Sequence, residues 1–150
     1  MKKIMFVCYG NICRSPMAEF VMKKVLQERG MLNEYYVQSA ATSYEEIGNS
    51  VYPPVKRLLS SLGIDCSSKR ARRLTREDGE TYDLILGMDN GNIYDIIRII
   101  GEKNAHKVKK ILDFAGGGEV ADPWYTRDFD KTYSDVSKGI EGLLEYLQNI

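Results

Sequence analysis

Cys8 stands six positions before Arg14, and Ser15 follows, in the stretch Val7-Cys8-Tyr9-Gly10-Asn11-Ile12-Cys13-Arg14-Ser15-Pro16. A thiolate, a guanidinium and a hydroxyl at this spacing can carry phosphoryl transfer to sulfur, with Cys8 attacking phosphorus while Arg14 forks onto two phosphate oxygens. Unpaired amides of a turn between them, aided by the positive end of a following helix, would bind a dianion and favour a thiolate at Cys8. Chance is a weak explanation: three Cys and nine Arg in 150 residues give roughly 0.2 accidental C-x5-R matches, and roughly 0.02 once a following Ser or Thr is required. The chain contains its own decoy. Cys66-Ser67-Ser68-Lys69-Arg70-Ala71-Arg72 has the same spacing, but it follows no strand run, contains no Gly and leads into Arg73. Cys66 therefore reads as structural or incidental. At Cys8 strand, turn and helix agree, which outweighs the alternative of a small buried hydrophobe.

The elements that must position this loop are legible on either side. Ile4-Met5-Phe6-Val7-Cys8 is a continuous apolar run, as a buried parallel strand requires, and Met17, Phe20, Val21, Val25 and Leu26 repeat at helical spacing directly after it. Gly10 and Asn11 tolerate the dihedrals of a tight turn, Ser15 suits an N-cap, and Pro16 suits the first helical position. Along the chain, strands are predicted near 3–8, 35–40, 82–87 and 107–112. Helices are predicted near 16–29, 52–62, 89–100 and 132–148, with a shorter one after Thr75. Asp89 precedes the stripe Ile93, Ile96, Ile97 and Ile100 as a cap, and Thr132-x-x-Asp135 opens a stripe of Val136, Ile140, Leu143, Leu144 and Leu147. Alternation of strands and helices argues for an α/β, doubly wound parallel sheet, in which ligands bind beyond the carboxyl ends of the strands.

A second candidate lies far away in sequence. Asp122-Pro123-Trp124-Tyr125 sits in a polar, Gly-rich stretch from Gly116 to Asp130 that is long for a simple connection. Asp-Pro also begins ordinary turns, so a surface turn is the competing reading. Departure of an alkoxide or phenolate needs a proton, and the sole His, His106, falls just before a predicted strand. Asp122 is the better acid, with Trp124 and Tyr125 able to wall a slot around a flat ring.

Val7-Cys8-x-Gly10-Asn11-Ile12-Cys13-Arg14-Ser15-Pro16-Met17-Ala18-Glu19, together with Asp122-Pro123-Trp124, resembles the low-molecular-weight protein tyrosine phosphatases over almost the whole chain. The resemblance implies a four-stranded sheet of order 2-1-3-4, with helices on both faces and the phosphate-binding loop after the first strand. It also implies a phosphocysteine route without a metal or other cofactor. Cys8 would be nucleophile, Arg14 phosphate clamp, Asp122 general acid, and the Ser15 hydroxyl a stabiliser of the departing thiolate. Tyr9, Gly10, Asn11, Ile12, Cys13, Trp124 and Tyr125 would contact substrate, and a supporting network around Asn11 would include Ser39 and Asp89. Two departures stand out. Lys69 occupies a position where many relatives carry His, and Tyr44-Glu45-Glu46 replaces a rim Trp, with Tyr44 a partial substitute. Two carboxylates at a phosphate-binding mouth should disfavour acidic phosphopeptides.

Three other functions fit less well. An arsenate reductase needs further redox cysteines, and none follows Cys66. Protein-arginine phosphatases resemble one another in a Thr where this loop has Ile12. A non-catalytic phosphate reader has no use for a thiol or for Asp122. Cys13, in the same loop as Cys8, could resolve oxidised Cys8 as a disulfide or could simply be a small buried residue.

Composition sets outer bounds. One domain, residues 1–150, accounts for the length and the 43% hydrophobic content, without linker or repeat. Lys plus Arg and Asp plus Glu both number 21. This balance supplies no bulk attraction to nucleic acid or an anionic membrane. The cluster Lys69-Arg70-Ala71-Arg72-Arg73 reads first as a solvated loop. The apolar run after Lys2-Lys3 is too short for a signal or a membrane span, and an odd cysteine count suits a reducing compartment. A cytoplasmic monomer acting on phosphotyrosine-containing proteins is expected.

Overall fold

Residues Ile4 to Cys8 are all buried, at 0 to 3% exposure, so this run can only be a central strand covered on both faces. The computed structural model describes all 150 residues and places that run in β1 (Lys2–Cys8). It is flanked by β2 (Tyr35–Ala41) and β3 (Leu84–Gly87), with β4 (Val108–Lys110) beyond β3, all parallel in the order β2-β1-β3-β4. Alternate residues of β1 feed two cores. Ile4, Phe6 and Cys8 join the larger, with α1 (Arg14–Glu28), α2 (Pro53–Ser61) and α6 (Phe129–Gln148), whereas Met5 and Val7 join the smaller, with α4 (Asn90–Ile100). Two short helices, α3 (Arg76–Thr81) and α5 (Pro123–Thr126), complete the set.

The expected elements are present, with shifted ends. Predicted strand 107–112 is only β4, because residues 111–114 turn into a 3-10 segment, and β3 starts two residues later than predicted. Asp89 caps α4 through the N–H of Asn92. Thr132 does not cap α6; Asp128 does, and the Thr132 hydroxyl instead bonds back to the Asp128 carbonyl inside the helix. Ser15 is not the N-cap of α1 either. The helix begins at Arg14 with Cys13 as its cap, and Ser15 sits one residue inside the first turn.

Close packing of α6 rests on two of its glycines. Gly139 and Gly142 lie where the helix crosses residues 111–114, and a Cβ on Gly142 would come 2.0 Å from the Phe114 carbonyl oxygen. Gly142→Ala gains about 1 kcal/mol of helix propensity but must move backbone, so a net loss of about 1–3 kcal/mol is expected. Thermal unfolding checks this, and a melting temperature equal to the parent's would show that the 111–114 segment yields freely.

Candidate active site

The loop between β1 and α1 turns on Asn11, whose φ of 60° lies in the left-handed region that Asn tolerates better than most residues. Its side chain locks that conformation. Nδ2 donates to Ser15 Oγ at 2.8 Å and to Ser39 Oγ at 3.0 Å, and Oδ1 accepts from the Arg72 N–H at 3.2 Å. Gly10, by contrast, has no positive φ, so within this loop Asn11 alone occupies the left-handed region. The outcome is convergence on Cys8: its Sγ accepts from the N–H groups of Asn11 at 3.3 Å and Ser15 at 3.4 Å, and lies 3.0 Å from Ser15 Oγ. Donors so arranged stabilise a thiolate. The N–H groups of Gly10, Ile12, Cys13 and Arg14 donate to no protein atom, the arrangement of an anion-binding nest.

Arg14 is buried, at 3% exposure, and its guanidinium is held at three points. Nη1 donates to Asp89 Oδ2 at 2.7 Å and to the Val120 carbonyl at 3.0 Å, and Nη2 reaches Asp122 Oδ2 at 3.4 Å. Burial alone would lower its pKa, but the Cys8 charge and the Asp89 bond outweigh burial and raise it. The guanidinium is therefore a permanent cation at the base of the cleft. Asp89 thus supports the clamp and not Asn11, as the resemblance had implied, because the left-handed turn aims Asn11 toward β2 and Arg72 instead. Asp122 caps α5, with Oδ1 accepting from the Trp124 N–H at 3.0 Å, so it is a turn residue that also faces the cleft.

These side chains line a cleft of about 140 Å³ formed by Cys8, Tyr9, Gly10, Ile12, Cys13, Arg14, Glu45, Glu46, Asp122, Trp124 and Tyr125. Asn11 and Ser15 lie beneath it, buried and turned into the scaffold. Trp124 leans on Tyr52, with ring centroids 4.9 Å apart, and Tyr52 leans in turn on Phe129. Tyr52 escaped sequence reasoning because nothing local ties it to a segment 72 residues away. Tyr44 does not line the cleft: the Arg73 guanidinium lies 4.1 Å from its ring centroid and holds it aside. His106 is exposed on a 3-10 turn and lines no part of the cleft.

Behind the loop lies a charged network that the sequence disclosed only in part. Glu19, 2% exposed, accepts from Ser39 Oγ at 2.6 Å and pairs with Lys23 at 2.6 Å and Lys69 at 3.2 Å. Lys69 also donates to the Ser39 carbonyl. Burial lowers the Lys69 pKa against the opposing pull of Glu19. The basic cluster is therefore not a solvated loop. Lys69 braces the site, Arg72 pairs with Asp78 at 2.9 Å, Arg73 stacks on Tyr44, and the Arg70 side chain bonds only nearby carbonyls of its own segment. A carboxylate four residues after Ser15 on an otherwise apolar helix face was the one local signal for Glu19. Cys66 is buried in the larger core, away from the cleft. Burial, with the Cys8 charge beside it, pushes the Cys13 thiol up to about 12.

The sheet order, with the loop at the carboxyl end of its central strand, is matched in known proteins. The model of the low molecular weight phosphotyrosine protein phosphatase family matches residues 3–150. The low molecular weight protein-tyrosine-phosphatase YfkJ of Bacillus subtilis is 32% identical over 151 residues, covering 99% of this chain and 97% of its own. Its crystal structure aligns with a TM-score of 0.95 over 99% of this chain and 96% of that one. The human low molecular weight phosphotyrosine protein phosphatase is 37% identical over 155 residues, covering 96% of this chain and 94% of its own. The Streptococcus pyogenes enzyme SP-PTP, a low molecular weight protein tyrosine phosphatase, aligns at 38% identity with a TM-score of 0.89, over 98% of this chain and 93% of that one. The chain belongs to the low molecular weight phosphotyrosine protein phosphatase family, whose members are hydrolases.

Proposed function

We propose that this protein hydrolyses phosphotyrosine through a phosphocysteine intermediate. The observation that carries the reading is a nucleophilic sulfur below a ring of uncommitted amides, with a buried guanidinium alongside. The phosphate dianion enters the nest and takes over the Arg14 Nη2 donor, which frees Asp122 Oδ2 to hold a proton. Cys8 attacks phosphorus as the bond to the phenolic oxygen breaks, and Asp122 delivers its proton to that oxygen. Arg14 and the loop amides stabilise the charge spread over the equatorial oxygens. Water then attacks the phosphocysteine, giving a proton to ionised Asp122, and the Ser15 hydroxyl supports the thiolate as it leaves. Val120 and Asp89 hold the guanidinium in plane throughout.

Substrate class follows from the walls. Ile12 and Trp124 flank the route to sulfur with apolar surface that suits a ring. Phosphotyrosine peptides should exceed phosphoserine, phosphothreonine and phosphoarginine peptides by about 10- to 100-fold in kcat/KM, the effect of seating or losing an aromatic group. Ile12→Thr should narrow the gap. Equal rates on phosphoarginine and phosphotyrosine peptides would favour an arginine phosphatase.

Regulation by oxidation is a second part of the reading, supported by two thiols lining one cleft. Peroxide converts the Cys8 thiolate to a sulfenic acid with release of hydroxide. The Cys13 thiolate then attacks the Cys8 sulfur, forming the disulfide as the S–O bond breaks and hydroxide leaves to take a proton from solvent. Because the Cys13 pKa is raised to about 12, its reactive anion grows about tenfold for each pH unit gained below that value. Mass spectrometry after mild peroxide should therefore find more disulfide and less sulfinic acid at Cys8 as pH rises from 7 to 9. Sulfinic acid alone at both pH values would remove the idea. Three free, buried thiols also support a cytoplasmic location, which cell fractionation tests, and no helix is long and apolar enough to cross a membrane.

A further inference from the structure

The mouth of the cleft carries charge that nothing else in the protein neutralises. Glu45 Oε1 accepts the Tyr9 hydroxyl at 2.9 Å, and Glu46 Oε2 accepts Asn49 Nδ2 at 2.6 Å. Each carboxylate is thus oriented by a neutral donor on one oxygen, and neither forms an ion pair with any Lys or Arg of the chain. Arg73, in the strand-like segment alongside, is engaged with the Tyr44 ring and the Thr42 carbonyl. Trp124 and Tyr125 contribute the aromatic part of the same lining, at 47% and 82% exposure. The formal net charge of the chain is zero, so no bulk charge of the protein offsets these two rim carboxylates.

We propose that Glu45 and Glu46 select phosphotyrosine sites that carry an Arg or Lys beside the phosphorylated residue, a specificity that rests on the phosphotyrosine reading above. A bare phosphate dianion approaching the nest meets two carboxylates of like sign. A neighbouring cation on the same peptide offsets that repulsion and supplies the counter-charge the rim lacks. Arg is favoured over Lys, because a guanidinium can fork onto a carboxylate while its face lies on Tyr125 or Trp124. An acidic neighbour adds repulsion.

The test compares three substrates at low ionic strength: a phosphotyrosine peptide with Arg on both sides of the phosphorylated residue, the same peptide with Glu there, and para-nitrophenyl phosphate. The Arg peptide should exceed the Glu peptide about ten- to thirtyfold in kcat/KM, as expected from two rim charges acting together. Most of the gap should sit in KM and shrink severalfold in 0.5 M salt, where the screening length is only a few ångströms. In the double variant Glu45→Gln, Glu46→Gln the ratio should fall below about threefold. Equal rates on both peptides with para-nitrophenyl phosphate still hydrolysed overturn this proposal and leave the phosphatase reading intact. A preference that survives in the double variant overturns the assignment to these two residues. Hydrolysis of none of the three substrates sinks the phosphatase reading and the proposal with it.

Discussion

Cys8→Ser is expected to lower turnover of para-nitrophenyl phosphate by at least about 10⁴-fold, the scale seen when a nucleophile is removed, while inorganic phosphate or vanadate still binds. The two effects separate because they have different physical origins. A serine hydroxyl does not ionise near neutrality, so no nucleophile reaches phosphorus. The amides of Gly10, Ile12, Cys13 and Arg14 remain where Asn11 and its partners hold them. Arg14→Lys should lose both properties, with turnover down about 10²–10³-fold, the usual effect of removing one preorganised donor. An ammonium is a point charge and cannot fork onto two phosphate oxygens while also meeting Asp89 and the Val120 carbonyl. Lys is the better test than Ala, since Ala would leave Asp89 and Asp122 facing each other without a cation. Cys66→Ser should be nearly silent in the same assays, since Cys66 lies outside the cleft. Residual activity above about one per cent in Cys8→Ser would dismiss the phosphocysteine route.

Asp122→Asn should slow cleavage of phenyl phosphate, whose leaving group has a pKa of about 10, by about 10²–10⁴-fold. Asn keeps an oxygen for the Trp124 N–H, so the cap on α5 survives while the transferable proton and the charge facing Arg14 are lost. A nitrophenolate leaves with little help, so the penalty must shrink as the leaving group becomes more acidic. The dependence of rate on leaving-group pKa is therefore steeper in the variant than in the parent. The parent also needs a protonated Asp122 together with an ionised Cys8, and removal of the first requirement should flatten the alkaline limb of the pH profile. If Asp122→Asn costs the same for every leaving group and leaves the profile unchanged, Asp122 is a turn residue only. Asp89, held against Arg14, would then be the next carboxyl to test.

Legibility of the site falls off with distance along the chain. Cys8, Arg14 and the strand and helix around them are consecutive, so the geometry that joins them is set by local conformation, and the alternation of apolar runs and helical stripes announces it. Even there, chemistry with two local solutions was ambiguous: a Ser at the head of a helix can cap it or point elsewhere, and in this fold the Ser15 hydroxyl lies against Cys8 and Asn11. Thr132 shows the same ambiguity at α6, where Asp128 took the cap. Asp122 stands out through its long polar connection, the reaction's need for a proton donor and the family resemblance of Asp122-Pro123-Trp124. Nothing in its own segment says that it meets Arg14, 108 positions away.

Local sequence already specifies the alternation of strands and helices, the thiol and guanidinium in one loop at a strand's carboxyl end, and the acid in a long polar connection. Each of these depends on near neighbours and on periodicity, which the order of residues encodes directly. Tertiary structure alone decided that Asp89 grips the clamp, that Glu19 and Lys69 brace Asn11 through Ser39, that Tyr52 backs Trp124, and that Arg73 draws Tyr44 off the rim. A polar side chain buried by folding must satisfy its donors and charge with whichever group the packed core brings within about 3 Å, and that partner is chosen by the crossing of elements remote in sequence.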